Sequence, residues 1–316
     1  MKIFTNFKRI LQLALATYLL LPVQLFSPVF AEEAPASSVQ NPEPTTLADG
    51  TVLKKTVEPI AGMINKWKVT LRVEAKKTTK KSDIVLVIDT SGSMNDNGRM
   101  AETKKAAKNF VNQLLNAEHP NTRIALVPFE TGISFKPFTN YTGKQDLLDM
   151  IDHLYADGGT FTQAGIKMAS SSLSSSQADF KNIVLLSDGV PTFNYKINNP
   201  DEYVIPGGPN GNVVNERETG PNVPKSAFNY SERTGTGNSM WYRYKWVGGV
   251  KYYYNSGNCA IAEASFAKQA GVKIHTVAVN ATPQGDGVLK NIATSPDDAY
   301  KTEDPTQLRL DRKSVV

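Results

Sequence analysis

The chain of 316 residues has one cysteine, Cys259, and three histidines, His119, His153 and His275. A lone thiol closes no disulfide framework, so stability must come from a core or from another kind of crosslink. The scarcity of imidazole removes many enzyme classes. Subtilisin-like chemistry needs a histidine beside its aspartate. Yet His119 lies in an H-P-N turn, His153 in a helical stretch and His275 in a strand-like one. No G-x-x-x-x-G-K-[ST] loop is present to cradle a nucleotide phosphate. No enzyme activity is expected.

Long hydrophobic runs are also missing, apart from Ile10 to Leu21. That run is too short to read as a permanent span. Lys2, Lys8 and Arg9 precede it and Val29-Phe30-Ala31 follow, so residues 1–31 read as a secretory signal. The net charge of +5 includes the three positive residues of that signal and one surplus charge in residues 311–316. The remainder is close to neutral, and no nucleic-acid partner is expected. An exported chain with a single cysteine suits a Gram-positive bacterium.

What is present begins with a leader at 32–47, EEAPASSVQNPEPTTL, expected to be flexible and extended. Residues 48–81 change to strand. In KWKVTLRVE the apolar Trp67, Val69, Leu71 and Val73 alternate with polar residues, which predicts one buried face. Two strands make no stable sheet alone, and no partner for them is evident in the rest of the chain.

From residue 82 to 310 the rhythm becomes strand, helix, strand. Strands are predicted at 83–88, 123–129, 182–187 and 272–279, with helices at 99–116, 146–155, 163–173 and 260–270. DIVLVI at 83–88 is apolar throughout, as expected of a strand buried on both faces. The alternation predicts an α/β fold with a doubly wound, mostly parallel sheet. Residues 190–258 break it. They hold eight of the 12 tyrosines and two of the three tryptophans, and they read as an ordered inserted arm. Trp241, Tyr242, Tyr244 and Trp246 in WYRYKW are candidate partner-binding residues; alternatively the arm packs its aromatics on its own domain. EDPTQLRL at 303–310 reads like the opening of an amphipathic helix, and DRKSVV at 311–316 reads as a non-native tail, with the real protein expected to continue past residue 310.

Strand ends carry the oxygens. Asp89, Ser91 and Ser93 follow the first strand in D-x-S-x-S spacing, Thr160 lies in DGGTFT, and Asp188 lies in SDG after NIVLLS. Ligands of open α/β sheets sit outside the carboxyl ends of the strands. Alternate side chains on a tight turn face one point, so one carboxylate and two hydroxyls converge. Two carboxylates with hydroxyls, and no sulfur or imidazole, suit Mg²⁺ or Mn²⁺ rather than Zn²⁺. A protease dyad would need D-T-G twice, whereas the turn here is D-T-S-G and has no second copy. Cys259 reads as an inert small residue.

VLVIDTSGSM, GGTFT and LLSDG together resemble a von Willebrand factor A domain with a metal-ion-dependent adhesion site, over about residues 82–310. The resemblance implies that Asp89, Ser91, Ser93, Thr160 and Asp188 hold the ion. The aromatic arm, the signal and SDGVPTFNY look more narrowly like tip adhesins of Gram-positive pili. That family implies an A domain inserted into a β-sandwich, of which residues 48–81 would be the first strands and the rest incomplete. It implies a secreted protein of the Gram-positive cell surface or cell wall. The expected partner is a host extracellular-matrix or surface protein supplying an acidic side chain, with pilus subunits as further partners. It also implies an internal Lys–Asn isopeptide bond at Lys54 or Lys55, against the simpler expectation of a solvated strand lysine. The alternative function is a pilus or surface scaffold whose metal only stabilises the fold.

Overall fold

A computed structural model describes residues 43–46, 52–62, 66–74 and 80–302. The expected signal at 1–31, the helix start at 303–310 and the tail at 311–316 lie outside the described residues, as does most of the leader. The chain divides into two units, Met1–Lys77 and Thr78–Val316.

The first unit holds β1 (Thr45–Thr46), β2 (Val52–Pro59) and β3 (Trp67–Glu74) in one antiparallel sheet of order β1-β2-β3. The end of the expected leader is therefore strand: Thr45 pairs with Leu53 and Thr46 with Val52. Val69 departs from expectation, being 58% exposed. Alternation gives it a face, and among the described residues β3 pairs with β2 in this sheet; an antiparallel sheet can carry one face in water. The side chains of Trp67, Leu71 and Val73 lie outside the described residues. Lys54 and Lys55 are exposed on β2.

The second unit is built on β4 (Ser82–Asp89), whose side chains are all buried. Two-residue periodicity sends Ile84, Leu86 and Ile88 to one face and Val85 and Val87 to the other. Helix α1 (Arg99–Leu114) and helix α2 (Lys144–Asp152) cover the first face through Phe110, Val111, Leu114, Leu147 and Ile151. Helices α3 (Thr162–Ser174), α4 (Ser256–Gln269) and α5 (Pro283–Ile292) cover the second through Ile166, Ala169, Ala264, Leu289 and Ile292. Each fully buried aliphatic contributes about 1.5–3 kcal/mol.

With β5 (Thr122–Phe129), β6 (Lys136–Thr139), β7 (Phe180–Ser187), β14 (Lys273–Val279) and β15 (Ala299–Thr302), the sheet order is β15-β14-β7-β4-β5-β6. All neighbours are parallel except β5 and β6. The chain runs from β4 outward to β5 and β6, then returns to β7 on the other side of β4. That reversal is a topological switch point, and it lies between β4 and β7.

Boundaries shift where turn chemistry intervenes. Helix α2 stops at Asp152, short of the predicted 155. Leu154 and Tyr155 lead into Asp157-Gly158, where Gly158 has φ +67, a left-handed conformation suited to glycine. Helix α4 starts earlier than the predicted 260, because the Asn255 side chain accepts the Asn258 N–H and caps it. The arm is itself β-structure: β8 (Phe193–Ile197), β9 (Val204–Pro206), β10 (Glu216–Thr219), β11 (Phe228–Gly235), β12 (Trp241–Val247) and β13 (Val250–Asn255). They form a sheet of order β12-β13-β10-β9 and a β11-β8 ribbon.

Candidate metal centre

Asp89 ends β4 and Asp188 follows β7, so the switch point brings both carboxylates to the carboxyl ends of the two central strands. Asp89 is fully buried and Asp188 is 6% exposed. The loop after β4 bends back on Asp89: its Oδ1 accepts the Ser91 N–H at 2.9 Å, and Oδ2 accepts the Ser187 hydroxyl at 2.5 Å. Ser91 and Ser93 place their hydroxyl oxygens 3.2 Å apart.

The glycine turn is laced onto the same loop. Asp157 N–H donates to Thr90 O at 2.9 Å, and Gly92 N–H donates to Gly158 O at 3.0 Å. Thr160, buried at its end, donates its N–H to Thr192 Oγ1 at 2.8 Å. All five predicted site residues thus lie on three adjoining loops at the carboxyl ends of β4 and β7.

Two buried carboxylates side by side are electrostatically costly. Burial and the neighbouring Asp188 charge push the Asp89 carboxyl up to about 7. Asp188 Oδ1 is buried with no hydrogen-bond partner among the described residues. An orphaned carboxylate oxygen beside a second carboxylate and two hydroxyls is a donor set that fits Mg²⁺ or Mn²⁺. No group of three or more His, Cys, Asp or Glu side chains that could hold a metal occurs among the described residues, so the hydroxyls would be indispensable ligands.

Sequence reasoning missed Arg99. Its Nη1 donates to Ser93 O at 2.9 Å and lies 3.4 Å from Asp188 Oδ2, while Nη2 donates to Asn280 O at 2.9 Å. A signal existed, since a cation at the first residue of a helix opposes the macrodipole and needs an anionic partner. Ser187, which fixes Asp89, was also missed.

The arm aromatics divide. Trp241 donates its indole N–H to Glu218, and Tyr244 donates to Asp201 at 3.0 Å while packing 4.8 Å from the Tyr254 ring. These two are held within the arm rather than offered outward. Tyr242 and Trp246 remain 37% and 65% exposed. Phe228, Tyr254 and Cys259 pack in one buried cluster, so much of the arm does rest on its own domain. Burial pushes the Cys259 thiol up to about 12, which leaves it unreactive.

A family model for the von Willebrand factor type A domain matches residues 83–204. The minor fimbrium subunit Mfa5 of Porphyromonas gingivalis is 31% identical over 270 residues, covering 72% of this chain and 22% of that protein. The chain thus spans about a fifth of that relative's length. The crystal structure of the vWF domain of the type V pili tip protein Mfa5 superposes with TM-score 0.65 at 27% identity, covering 72% of this chain and 90% of that one. The pilus adhesin SpaC from Lactobacillus rhamnosus GG, in its open conformation, gives TM-score 0.62 at 23% identity over 82% of this chain and 32% of that one, a likeness of fold alone. Porphyromonas gingivalis is Gram-negative, so its Mfa5 does not tie the chain to a Gram-positive wall. The chain carries a von Willebrand factor type A domain and resembles, over most of its length, the tip protein of a pilus.

Proposed function

We propose that the chain is part of a pilus-associated surface adhesin, and that Asp89, Ser91, Ser93, Thr160 and Asp188 form its divalent-cation adhesion site. Mg²⁺ or Mn²⁺ bound there would supply an electrophilic position for an acidic side chain of a partner protein, a host matrix or surface protein. Other pilus subunits are further partners. The observation that carries the reading is the buried, unpartnered Asp188 Oδ1 beside Asp89. Hydrogen bonds from Ser91 N–H and Ser187 orient Asp89, and the laced glycine turn holds Thr160 in place.

Calorimetric titration with Mg²⁺ and Mn²⁺, paired with adhesion to immobilised collagen, fibronectin and laminin, tests it. Expected are saturable cation binding, its loss in Asp188→Ala, and adhesion abolished by chelator while folding persists. Cation binding with a large melting shift but no adhesion to any surface would instead favour the scaffold role. No cation binding by the wild type would sink both.

A further inference from the structure

Toward the amino ends of the strands, away from Asp89 and Asp188, a groove of about 510 Å³ opens between α3 and α4. It is of the size that small ligands occupy. Its cations come from separate elements: Lys167 from α3, Lys181 from the start of β7, and Lys225 from the turn before β11. The carboxylate among its lining residues is Glu263, which is buried and already accepts the Tyr230 hydroxyl at 2.9 Å and Gln163 Nε2 at 3.2 Å. The groove therefore carries a surplus of positive charge. Lys167 does not swing freely, for its ammonium lies 4.8 Å from the centre of the Tyr230 ring. Ser170, Ser171 and Ser174 add polar groups along one wall, and Phe266 adds an aromatic side chain on the other.

We propose that this α3–α4 groove binds an anionic saccharide, one bearing sulfate or carboxylate groups along a sugar chain. Lysines are hydrated point charges that match dispersed anionic groups, whereas bidentate capture of a single carboxylate or phosphate favours arginine, which this lining lacks. Hydroxyls and aromatic edges suit the mixed polar and apolar faces of a sugar ring. The site stands independently of the cation centre, so a surface protein would hold two separate means of attachment.

The test is binding of the full chain to a heparin-derived hexasaccharide and to a hyaluronan hexasaccharide at low salt. Poly-glutamate and inorganic phosphate serve as controls. Expected is saturable binding to one or both saccharides, weakened by salt and unaffected by chelator or by Asp188→Ala. The Lys167→Gln/Lys181→Gln/Lys225→Gln variant should bind about tenfold more weakly or not at all, with an unchanged melting temperature confirming its fold. Heparin binding alone assigns sulfate as the recognised group, and hyaluronan binding assigns carboxylate. Three results overturn the proposal: no saccharide binding by the wild type, equal binding by the triple variant, or preference for poly-glutamate over both sugars. Should the triple variant misfold, the three single variants each provide the comparison. Failure here leaves the cation site untouched, because that site is read by Mg²⁺ titration.

Discussion

Arg99 and Asp188 share the candidate cation site: the guanidinium lies 3.4 Å from Asp188 Oδ2, while Asp188 Oδ1 has no hydrogen-bond partner among the described residues. One oxygen already faces a permanent cation, and the other is buried without a hydrogen-bond partner among the described residues. Arg99 also ties Ser93 O to Asn280 O, so the same side chain joins the D-x-S-x-S loop to the turn after β14. A positive charge held this close opposes a second cation. Arg99→Met should therefore raise Mg²⁺ affinity about tenfold, equivalent to about 1.4 kcal/mol of relieved repulsion. Calorimetry decides the sign. Weaker binding by the variant would mean that Arg99 serves mainly to position Asp188.

Asp89→Asn separates the cost of the buried charge from its use. In the absence of metal the variant loses repulsion against Asp188 while its amide oxygen keeps the bond from Ser91 N–H. Its metal-free melting temperature should equal or exceed that of the wild type. Saturating Mg²⁺ should then no longer stabilise it, whereas the wild type gains about 2.7 kcal/mol at a hundredfold excess over Kd. A metal-free variant that melts well below the wild type would show that Asp89 is held by its hydrogen bonds more than it is strained by its charge.

Legibility in the sequence tracked how local each determinant is. Asp89 and Asp188 were readable because each stands at the end of a continuous apolar run, and an open α/β sheet makes that end a ligand position. Arg99 was not, because its partners Asp188 and Asn280 lie 89 and 181 residues away. The arm concealed its β10–β13 pairing for the same reason. Residues of β10 pair in parallel with residues of β13 some 35 positions later, Glu216 with Lys251 for example, and no local alternation announces such pairing. In the first unit, alternation at Val69 identified a face without saying how far this residue is exposed, which is 58%.

Glu263 gives the fold a pH dependence of predictable sign. Burial raises its carboxyl above the ordinary 4.5, although bonds from Tyr230 and Gln163 and the charges of Lys167 and Lys225 pull it partly back. The folded state thus holds this proton at pH values where the unfolded chain has released it. Its contribution to stability declines as pH rises from about the ordinary 4.5 through the raised value, and is lowest above it. Glu263→Gln should flatten that part of the stability profile and raise the melting temperature at neutral pH. Denaturant melts of both proteins from acid to neutral pH check it; parallel profiles would refute the assignment.

The Asp188 loop and α5 meet through two glycines. Gly189 has φ +88, and a Cβ there would lie 2.5 Å from Gly285 O. Conversely, a Cβ on Gly285 would lie 2.3 Å from Asp188 O, which is backbone and cannot swing aside. The two glycines let the first turn of α5, capped by Thr282, press directly on the loop that presents Asp188. Gly285→Ala sits in a helix, where alanine is intrinsically favoured by about 1 kcal/mol, so any loss it causes must come from the clash. The variant should fold with reduced stability and bind Mg²⁺ more weakly, because Asp188 is displaced from Asp89. Gly287→Ala, two residues along the same helix with nothing within 4 Å of its Cβ position, is the control and should leave cation affinity unchanged. Equal Mg²⁺ affinity in the two variants would show that the loop moves away from α5 without disturbing the carboxylate.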